Sequence, residues 1–229
     1  MSVNPRFLVD NLNSGVVELS PEESHHITKV VRLDEGASVD LIDGRGKVAS
    51  ATLQSLGKKV KVAVGEVRNF PQTKRVSLAF GIPKSAALDT LLRKATEIGV
   101  LSFQPLITDH GLHPKEWNAE RWTKVIHEAC KQCQDPWFPE LHAPKSLQNF
   151  LTENKTNIVF CDENQRDKAS LFLQNATVHV LVGPEGGWSA KERELLKGAQ
   201  TLSLGENRLR TDTAGLIALT LVKVQAGEL

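Results

Sequence analysis

Two segments late in the chain carry the residue types from which a cofactor site is built. The first, Gly183-Pro184-Glu185-Gly186-Gly187-Trp188, follows the apolar run Val178–Val182. Three glycines at a strand-to-helix turn let the backbone come close to a ligand. Ser189 and Glu192 form a capping box directly behind it, so a helix start is signalled there. Three readings are open: a tight turn, a dinucleotide loop with Glu206 about 20 residues on, or a cradle for a cofactor without phosphate. The spacing is not G-x-G-x-x-G, and Pro184 has no N–H to offer a phosphate. The carboxylate of Glu185 is less at odds with a neutral or cationic ligand.

The second segment, Gly205-Glu206-Asn207-Arg208-Leu209-Arg210-Thr211-Asp212-Thr213-Ala214, sets two arginines and an acid before an apolar helix. An arginine here is either a surface residue or one that orients a planar polar ligand through two parallel hydrogen bonds. Asp212 or Thr211 can cap the helix. Elsewhere, Lys29, Arg32, Arg45 and Lys47 lie near one helix and one hairpin, as a phosphate-binding patch or a solvated face. Cys130-x-x-Cys133 has no second pair to complete a zinc site. The three cysteines, Cys130, Cys133 and Cys161, do not make a disulfide framework. Trp117, Trp122 and Trp137 read as packing residues, and Trp188 as packing beside the glycine loop against cofactor or helix.

The elements that must position these residues fall into two patterns. Up to residue 70 the chain reads as short strands, Val16–Leu19, Ala37–Ile42, Lys47–Leu53 and Val60–Val67. Asp43-Gly44-Arg45-Gly46 turns between the second and third. One helix starts at Ser20-Pro21-Glu22-Glu23, with His26, Val30 and Val31 expected on one face. This suggests a small, partly closed β-barrel. Asn69–Lys74 reads as a linker. From Arg75 strands and helices alternate: strands at Val76–Ile82, Ser102–Ile107, Asn157–Cys161, Val178–Val182 and Thr201–Leu204, and helices at Ala86–Ile98, Pro114–Cys133, Leu147–Leu151, Ser189–Ala199 and Thr213–Val224. That alternation predicts an α/β domain with a mostly parallel sheet, Rossmann-like on periodicity alone. Ligands in such sheets bind beyond the carboxyl ends of the strands, which selects the loops after Ile82, Cys161, Val182 and Leu204.

The chain has 229 residues, 28 basic and 27 acidic, for a net charge of +1. With 40% hydrophobic and 24% charged residues it is ordinary globular composition. That excludes a disordered tail protein and a protein held to nucleic acid by bulk charge. Tyr is absent, so base-stacking platforms are few. No signal peptide and no stretch of ~18 apolar residues is visible, which predicts a cytoplasmic protein without a membrane partner.

Taken together, L-V-G-P-E-G-G-W-S (181–189) and S-L-G-E-N-R-L-R-T-D-T-A (203–214) closely resemble signatures of the bacterial 16S ribosomal RNA uracil-N3 methyltransferases, of the knotted SPOUT class. His26-Ile27-Thr28-Lys29-Val30-Val31-Arg32 is similar to the family's H-x-x-[KR]-V-L-R, and Asp43-Gly44 to its D-G turn. Lys94-Ala95-Thr96-Glu97-Ile98-Gly99-Val100 and Glu128-Ala129-Cys130-Lys131-Gln132-Cys133 look like two further family segments.

The resemblance implies a PUA-like β-barrel for RNA over residues 1–70 and a SPOUT methyltransferase domain with a trefoil knot over 71–229. It implies S-adenosylmethionine bent against three loops, Cys161–Gln165, Gly183–Gly187 and Leu204–Ala214. Contacts are expected from Cys161, Asp162 and Glu163 in the first. The second supplies Pro184, Glu185 and Gly186 with Val182, Gly183 and Gly187, and the third Leu204, Gly205, Asn207, Leu209, Arg210, Thr211, Thr213 and Ala214. His26, Lys29, Arg32, Arg45, Lys47 and Lys94 are expected to bind RNA. The implied partners are 16S rRNA or the small ribosomal subunit and a second copy of the chain, with no metal.

The implied reaction methylates N3 of a uridine, by family pattern uridine 1498. Uracil N3 is neutral and weakly nucleophilic, so anionic character must be favoured in the transition state. Arg210 is the candidate to stabilise charge on the uracil carbonyls, and Glu185 the candidate proton acceptor or orienting group. Three departures stand out. Asp135 follows Gln134 where the family runs to an arginine, Asp109-His110-Gly111 replaces E-R-S/C, and Asp212 is a shorter acid. A catalytically weakened or retargeted RNA-binding relative, and an NAD-binding Rossmann-type enzyme, are the alternatives.

Overall fold

Along Ala49–Gln54 every second residue turns inward: Ala49, Ala51 and Leu53 are buried while Ser50, Thr52 and Gln54 are exposed. That period of two is a strand with one face on a core. In the computed structural model, which describes residues 4–112, 117–163 and 171–229, this strand is the centre of a five-stranded sheet. The strands are β1 (Arg6–Leu8), β2 (Gly15–Glu18), β3 (Ser38–Ile42), β4 (Lys47–Ser55) and β5 (Lys61–Asn69). Their order is β1-β3-β4-β5-β2, antiparallel except for β1 on β3. The core holds Phe7, Leu19, Ile27, Val39, Leu41, Leu53 and Val62. β1 is only three residues long and was not expected.

Helix α1 (Pro21–His25) starts as the sequence signals, with the Ser20 side chain accepting from the Glu23 amide at 3.1 Å. It then widens into a π-helical turn, His26–Val31, closed by Arg32 in the left-handed region. This corrects the expected shared face. Five-residue spacing of hydrogen bonds changes the phase of the side chains, so Ile27 enters the core while Val30 is 63% exposed.

The chain divides into two compact units, 1–72 with 130–138, and 73–129 with 139–229. Residues 130–138, within the 71–229 domain expected from sequence, complete the first unit. The Asp43 carboxylate accepts from the Arg45 and Lys47 amides. Both glycines of this turn lie at positive φ. Gly46 donates to Pro136 O, and Phe138 donates to Gly44 O. Trp137 Nε1 donates to Phe70 O at 2.9 Å. Lys131 pairs with Glu23 at 3.1 Å, both side chains about 90% buried.

In the second unit β6 (Val76–Gly81) is buried at all six positions, as a strand covered on both faces must be. With β7 (Ser102–Ile107), β8 (Glu140–Leu141), β9 (Lys145–Ser146), β10 (Ile158–Cys161), β11 (Val178–Val182) and β12 (Gln200–Leu202) it forms a wholly parallel sheet, ordered β12-β10-β11-β6-β7-β8 with β9 also on β7. Helices α2 (Ser85–Ile98) and α6 (Thr211–Gln225) pack together over one face, where a Cβ on Gly215 would meet Leu91 at 2.7 Å and Leu78 at 3.7 Å. α4 (Leu147–Glu153) covers the other, its Leu147 and Phe150 against Ala79, Leu106, Phe160 and Leu181. α3 (Ala119–Cys133) begins later than the expected Pro114: residues 117–118 are not helical, the Asn118 side chain accepts from the Arg121 amide at 3.0 Å, and 113–116 lie outside the described residues. α5 (Ala190–Leu195) is shorter than expected, though its Ser189–Glu192 capping box forms. The expected strand at Thr201–Leu204 is displaced to Gln200–Leu202, and β8 and β9 were not expected.

Candidate cofactor site

The order β12-β10-β11-β6 puts the carboxyl ends of these strands side by side, and the loops that leave them close around one pocket. It is lined by Cys161, Asp162 and Glu163 after β10. Val182 to Glu185, Gly187 and Trp188 line it after β11. Leu202, Leu204, Gly205, Asn207, Arg208, Leu209, Thr211 and Ala214 follow from β12 into α6, and Arg193 reaches in from α5. Of the expected contacts among the described residues, Gly186, Arg210 and Thr213 do not line it. Asn164 and Gln165 lie outside the described residues. Trp188, Arg193, Arg208 and Leu202 line it without being named among the expected contacts. Trp188 is expected beside the glycine loop, packed against cofactor or helix, and Arg208 falls within the third expected loop, while nothing in the sequence marks Arg193 and Leu202 as lining.

The glycine loop is held from outside, carbonyl by carbonyl. Gly183 O accepts from Thr211 Oγ1 at 3.1 Å. Pro184 O accepts from the Gly187 amide at 2.8 Å. Glu185 O accepts from Arg208 at 3.2 Å. Gly186 O and Gly187 O both lie 3.2 Å from His110 Nδ1, and Trp188 O accepts from Arg193 Nε at 3.2 Å. Gly187 sits at φ +68, a conformation that suits glycine. From below, a Cβ on Gly81 would stand 2.5 Å from the Pro184 ring. The Trp188 indole donates to Cys161 O at 2.9 Å, tying the first loop to the second.

Charge in the pocket is arranged in pairs. Arg193 is paired with Asp162, and Arg208 Nε lies 3.3 Å from Glu163. Glu185 is exposed and its Oε1 accepts from the Lys84 amide at 3.3 Å. Desolvation of the partly buried Cys161 thiol pushes its pKa up to about 12, so it is neutral at any ordinary pH.

Arg210 is exposed at the N-terminal boundary of α6. Asp212 accepts from the Thr213 amide at 2.9 Å. Among the expected RNA residues, Lys29, Arg32 and Arg45 are exposed on the first unit, with Lys47 partly so. His26 is half-buried, edge-on to Phe7 at 5.7 Å. Lys94 belongs to the second unit, paired with Glu97 at 2.9 Å. Among the described residues no group of three or more metal-ligating side chains occurs, and no helix is long and apolar enough to cross a membrane.

Residues 70–223 match the profile of an RNA methyltransferase domain and 19–63 that of an RNA methyltransferase PUA domain. The chain is 30% identical to the ribosomal RNA small subunit methyltransferase E of Synechocystis, over 93% of this chain and 74% of that one. It is 30% identical to the protein of the same name from Rickettsia conorii, over 93% and 91%. A structure of that enzyme from Neisseria gonorrhoeae bound to S-adenosyl methionine superposes with a TM-score of 0.89 at 25% identity, covering 97% of this chain and 98% of that one. A putative methyltransferase of Legionella pneumophila in complex with the same cofactor gives 0.88 at 28% identity, covering 98% of each.

Proposed function

The chain belongs to the RNA methyltransferase family, within its small subunit methyltransferase E group, and from that premise we propose that it transfers the methyl group of S-adenosylmethionine to N3 of a uridine in 16S ribosomal RNA, uridine 1498 by family pattern. The observation that carries the reading is the pocket itself: three loops meeting at the carboxyl ends of β10, β11 and β12 around an apolar and acidic lining. Val182, Pro184, Leu202, Leu204, Leu209 and Ala214 offer apolar surface for a purine ring. Asp162, Glu163 and Glu185 outnumber Arg193 and Arg208. A net acidic lining suits a sulfonium cation and disfavours a pyrophosphate, which sets the dinucleotide alternative aside. Gly205, at φ +103 with nothing within 4 Å of its Cβ position, leaves room on the pocket wall.

When bound, S-adenosylmethionine supplies a methyl group already activated by the positive sulfur. The residues of this chain then have two tasks, to align the acceptor nitrogen and to favour its deprotonated form. The Arg210 side chain is exposed and, among the described residues, makes no hydrogen bond or ion pair, unlike that of Arg208. Its guanidinium is assigned to the uracil carbonyl oxygens, where negative charge grows. Glu185, exposed at the loop tip, is assigned to receive or orient the N3 proton.

The remaining assignments follow the same reading. Residues 1–70 form the PUA-like RNA-binding barrel, in which His26, Lys29, Arg32, Arg45 and Lys47 are assigned to RNA contact; Lys94, on the second unit, is assigned to RNA separately. Residues 71–229 carry the trefoil knot, a reading supported by the passage of Arg208–Thr211 against the carbonyls of the glycine loop. A homodimer is supported by the exposed Ile217, Leu221 and Val224 along α6. The enzyme acts in the cytoplasm and needs no metal. Calorimetry with S-adenosylmethionine and with NAD tests the cofactor; binding of NAD alone would overturn the reading. Arg210→Ala is expected to leave cofactor affinity within about twofold and to lower transfer by about 10²–10³-fold, read with small ribosomal subunits lacking the modification. Mapping of N3-methyluridine in ribosomal RNA from cells with and without the gene separates an active enzyme from a weakened or retargeted one.

A further inference from the structure

His110 stands in the segment where this chain departs from its family, Asp109-His110-Gly111. The loop after β7 was not among those singled out from the sequence, yet β7 lies next to β6, so this loop too leaves the carboxyl edge of the sheet. It reaches the glycine loop at both ends. Asp109 Oδ2 accepts from Ser189 Oγ at 2.6 Å, and the Asp109 amide donates to the buried Glu192 at 2.9 Å. These two contacts fix the helix start behind the loop. His110 takes the other end, with Nδ1 3.2 Å from two successive carbonyl oxygens.

A carbonyl only accepts, so Nδ1 must carry the proton, whichever form Nε2 takes. One N–H thus restrains two adjacent glycine peptides. They are two of the loop's three glycines, the residue type with the widest conformational choice, and each of the loop's other carbonyls already has its own donor. The contact is close at the backbone as well: a Cβ on Gly186 would lie 2.6 Å from His110 Cβ. A loop ordered before its ligand arrives spends less of the binding energy on its own immobilisation.

We propose that His110 is a positioning residue for cofactor binding, the shared Nδ1–H donor that locks Gly186 and Gly187 in the shape that receives S-adenosylmethionine. The inference rests on the assignment of this pocket to that cofactor. His110 does no chemistry at the methyl group, and its loss acts on affinity.

Calorimetric titration of the full-length protein with S-adenosylmethionine tests it through three variants. His110→Ala removes the donor and is expected to raise Kd roughly tenfold, the effect of one lost hydrogen bond together with a freed glycine pair. His110→Asn places an amide N–H close to where Nδ1 stands and is expected to restore affinity to within about threefold of wild type. His110→Gln carries its amide one carbon further out and should stay near the alanine value. In turnover, KM for the cofactor rises in His110→Ala while kcat and KM for RNA hold within about twofold. If the wild type binds the cofactor and His110→Ala binds equally well, or if Asn fails as fully as Ala, the positioning role is overturned and the pocket assignment stands. If the wild type itself does not bind, the assignment falls and the inference with it.

Discussion

Asp135 stands where the resemblance leads one to expect an arginine, and its surroundings give this carboxylate a local role. Its carboxylate accepts from the Trp137 amide at 2.9 Å, and its negative charge acts on Arg6. Arg6 is buried, with Nε and Nη1 unpartnered by hydrogen bonds and Nη2 3.9 Å from Asp40. Burial lowers its pKa, and Asp40 and Asp135 oppose that. An arginine at 135 would repel Arg6 and release Trp137. Asp135→Arg is therefore expected to lose about 1–3 kcal/mol of stability, seen as a lower denaturation midpoint, whatever it does to RNA affinity.

A second residue gives the acid limb of stability. His179, edge-on to Phe150 at 5.4 Å, has its pKa lowered from 6.5 by burial, with His142 adding to the shift. The unfolded chain therefore takes up this proton at a higher pH than the folded one. The contribution is whole above about pH 6.5 and is lost as pH falls below it toward the depressed folded value. Melting temperature should decline from pH 7 to pH 5, and His179→Gln should flatten part of that decline. Parallel melting curves for the two proteins would count against it.

At the scale of elements, the close approach of β6 to the glycine loop makes a single hydrogen matter. Gly81 is buried and its Cβ position lies 2.7 Å from the Pro184 backbone nitrogen, not from a side-chain end that could swing away. Gly81→Ala is expected to cost about 1–3 kcal/mol, about 2–12 °C in melting temperature for a chain of this size, and to weaken cofactor binding through displacement of Pro184. Scanning fluorimetry with and without S-adenosylmethionine reads both effects.

Which elements were legible follows from what each one depends on. Val178–Val182 was read to the residue, because continuous apolar residues declare a strand covered on both faces. α2 was read from Leu88, Leu91, Leu92 and Ala95 with Gly99 as its left-handed cap. The π-helical turn was not, because its winding is set by how Ile27 meets the core and not by the residue types from His26 to Val31. β8 and β9 have two residues each, too few to show a period. The glycine and arginine loops declared themselves by composition. Arg193 joins the pocket through pairing with Asp162 across the fold, and His110 meets the glycine loop through carbonyls more than seventy positions away.

Across the whole molecule, the second unit is tied shut at the end away from the pocket. Lys223, 3% exposed, donates to Gly99 O at 2.8 Å and pairs with Glu228 at 2.7 Å, while Glu228 accepts from the Arg75 amide at the same distance. One carboxylate thus joins the first strand, the end of α6 and, through lysine, the end of α2. Glu228→Gln leaves a buried ammonium without its counter-charge and should cost about 3–5 kcal/mol, measured by urea denaturation. Lys223→Met with Glu228→Gln should recover part of the loss.

The split composition of the first unit has a consequence for how the protein is made. Gly44 O and Gly46 N find their partners on residues 136–138, and residues 73–129 intervene. During synthesis the N-terminal sheet emerges first but lacks these contacts, the Glu23–Lys131 pair and the Trp137 cover until residue 138 has left the exit tunnel. The nascent sheet must therefore wait in an incomplete form while the first strands and helices of the other unit appear. Closing so long a gap adds only slowly to the entropic cost, so the delay is one of timing more than of stability, and maturation of the two units is coupled in time.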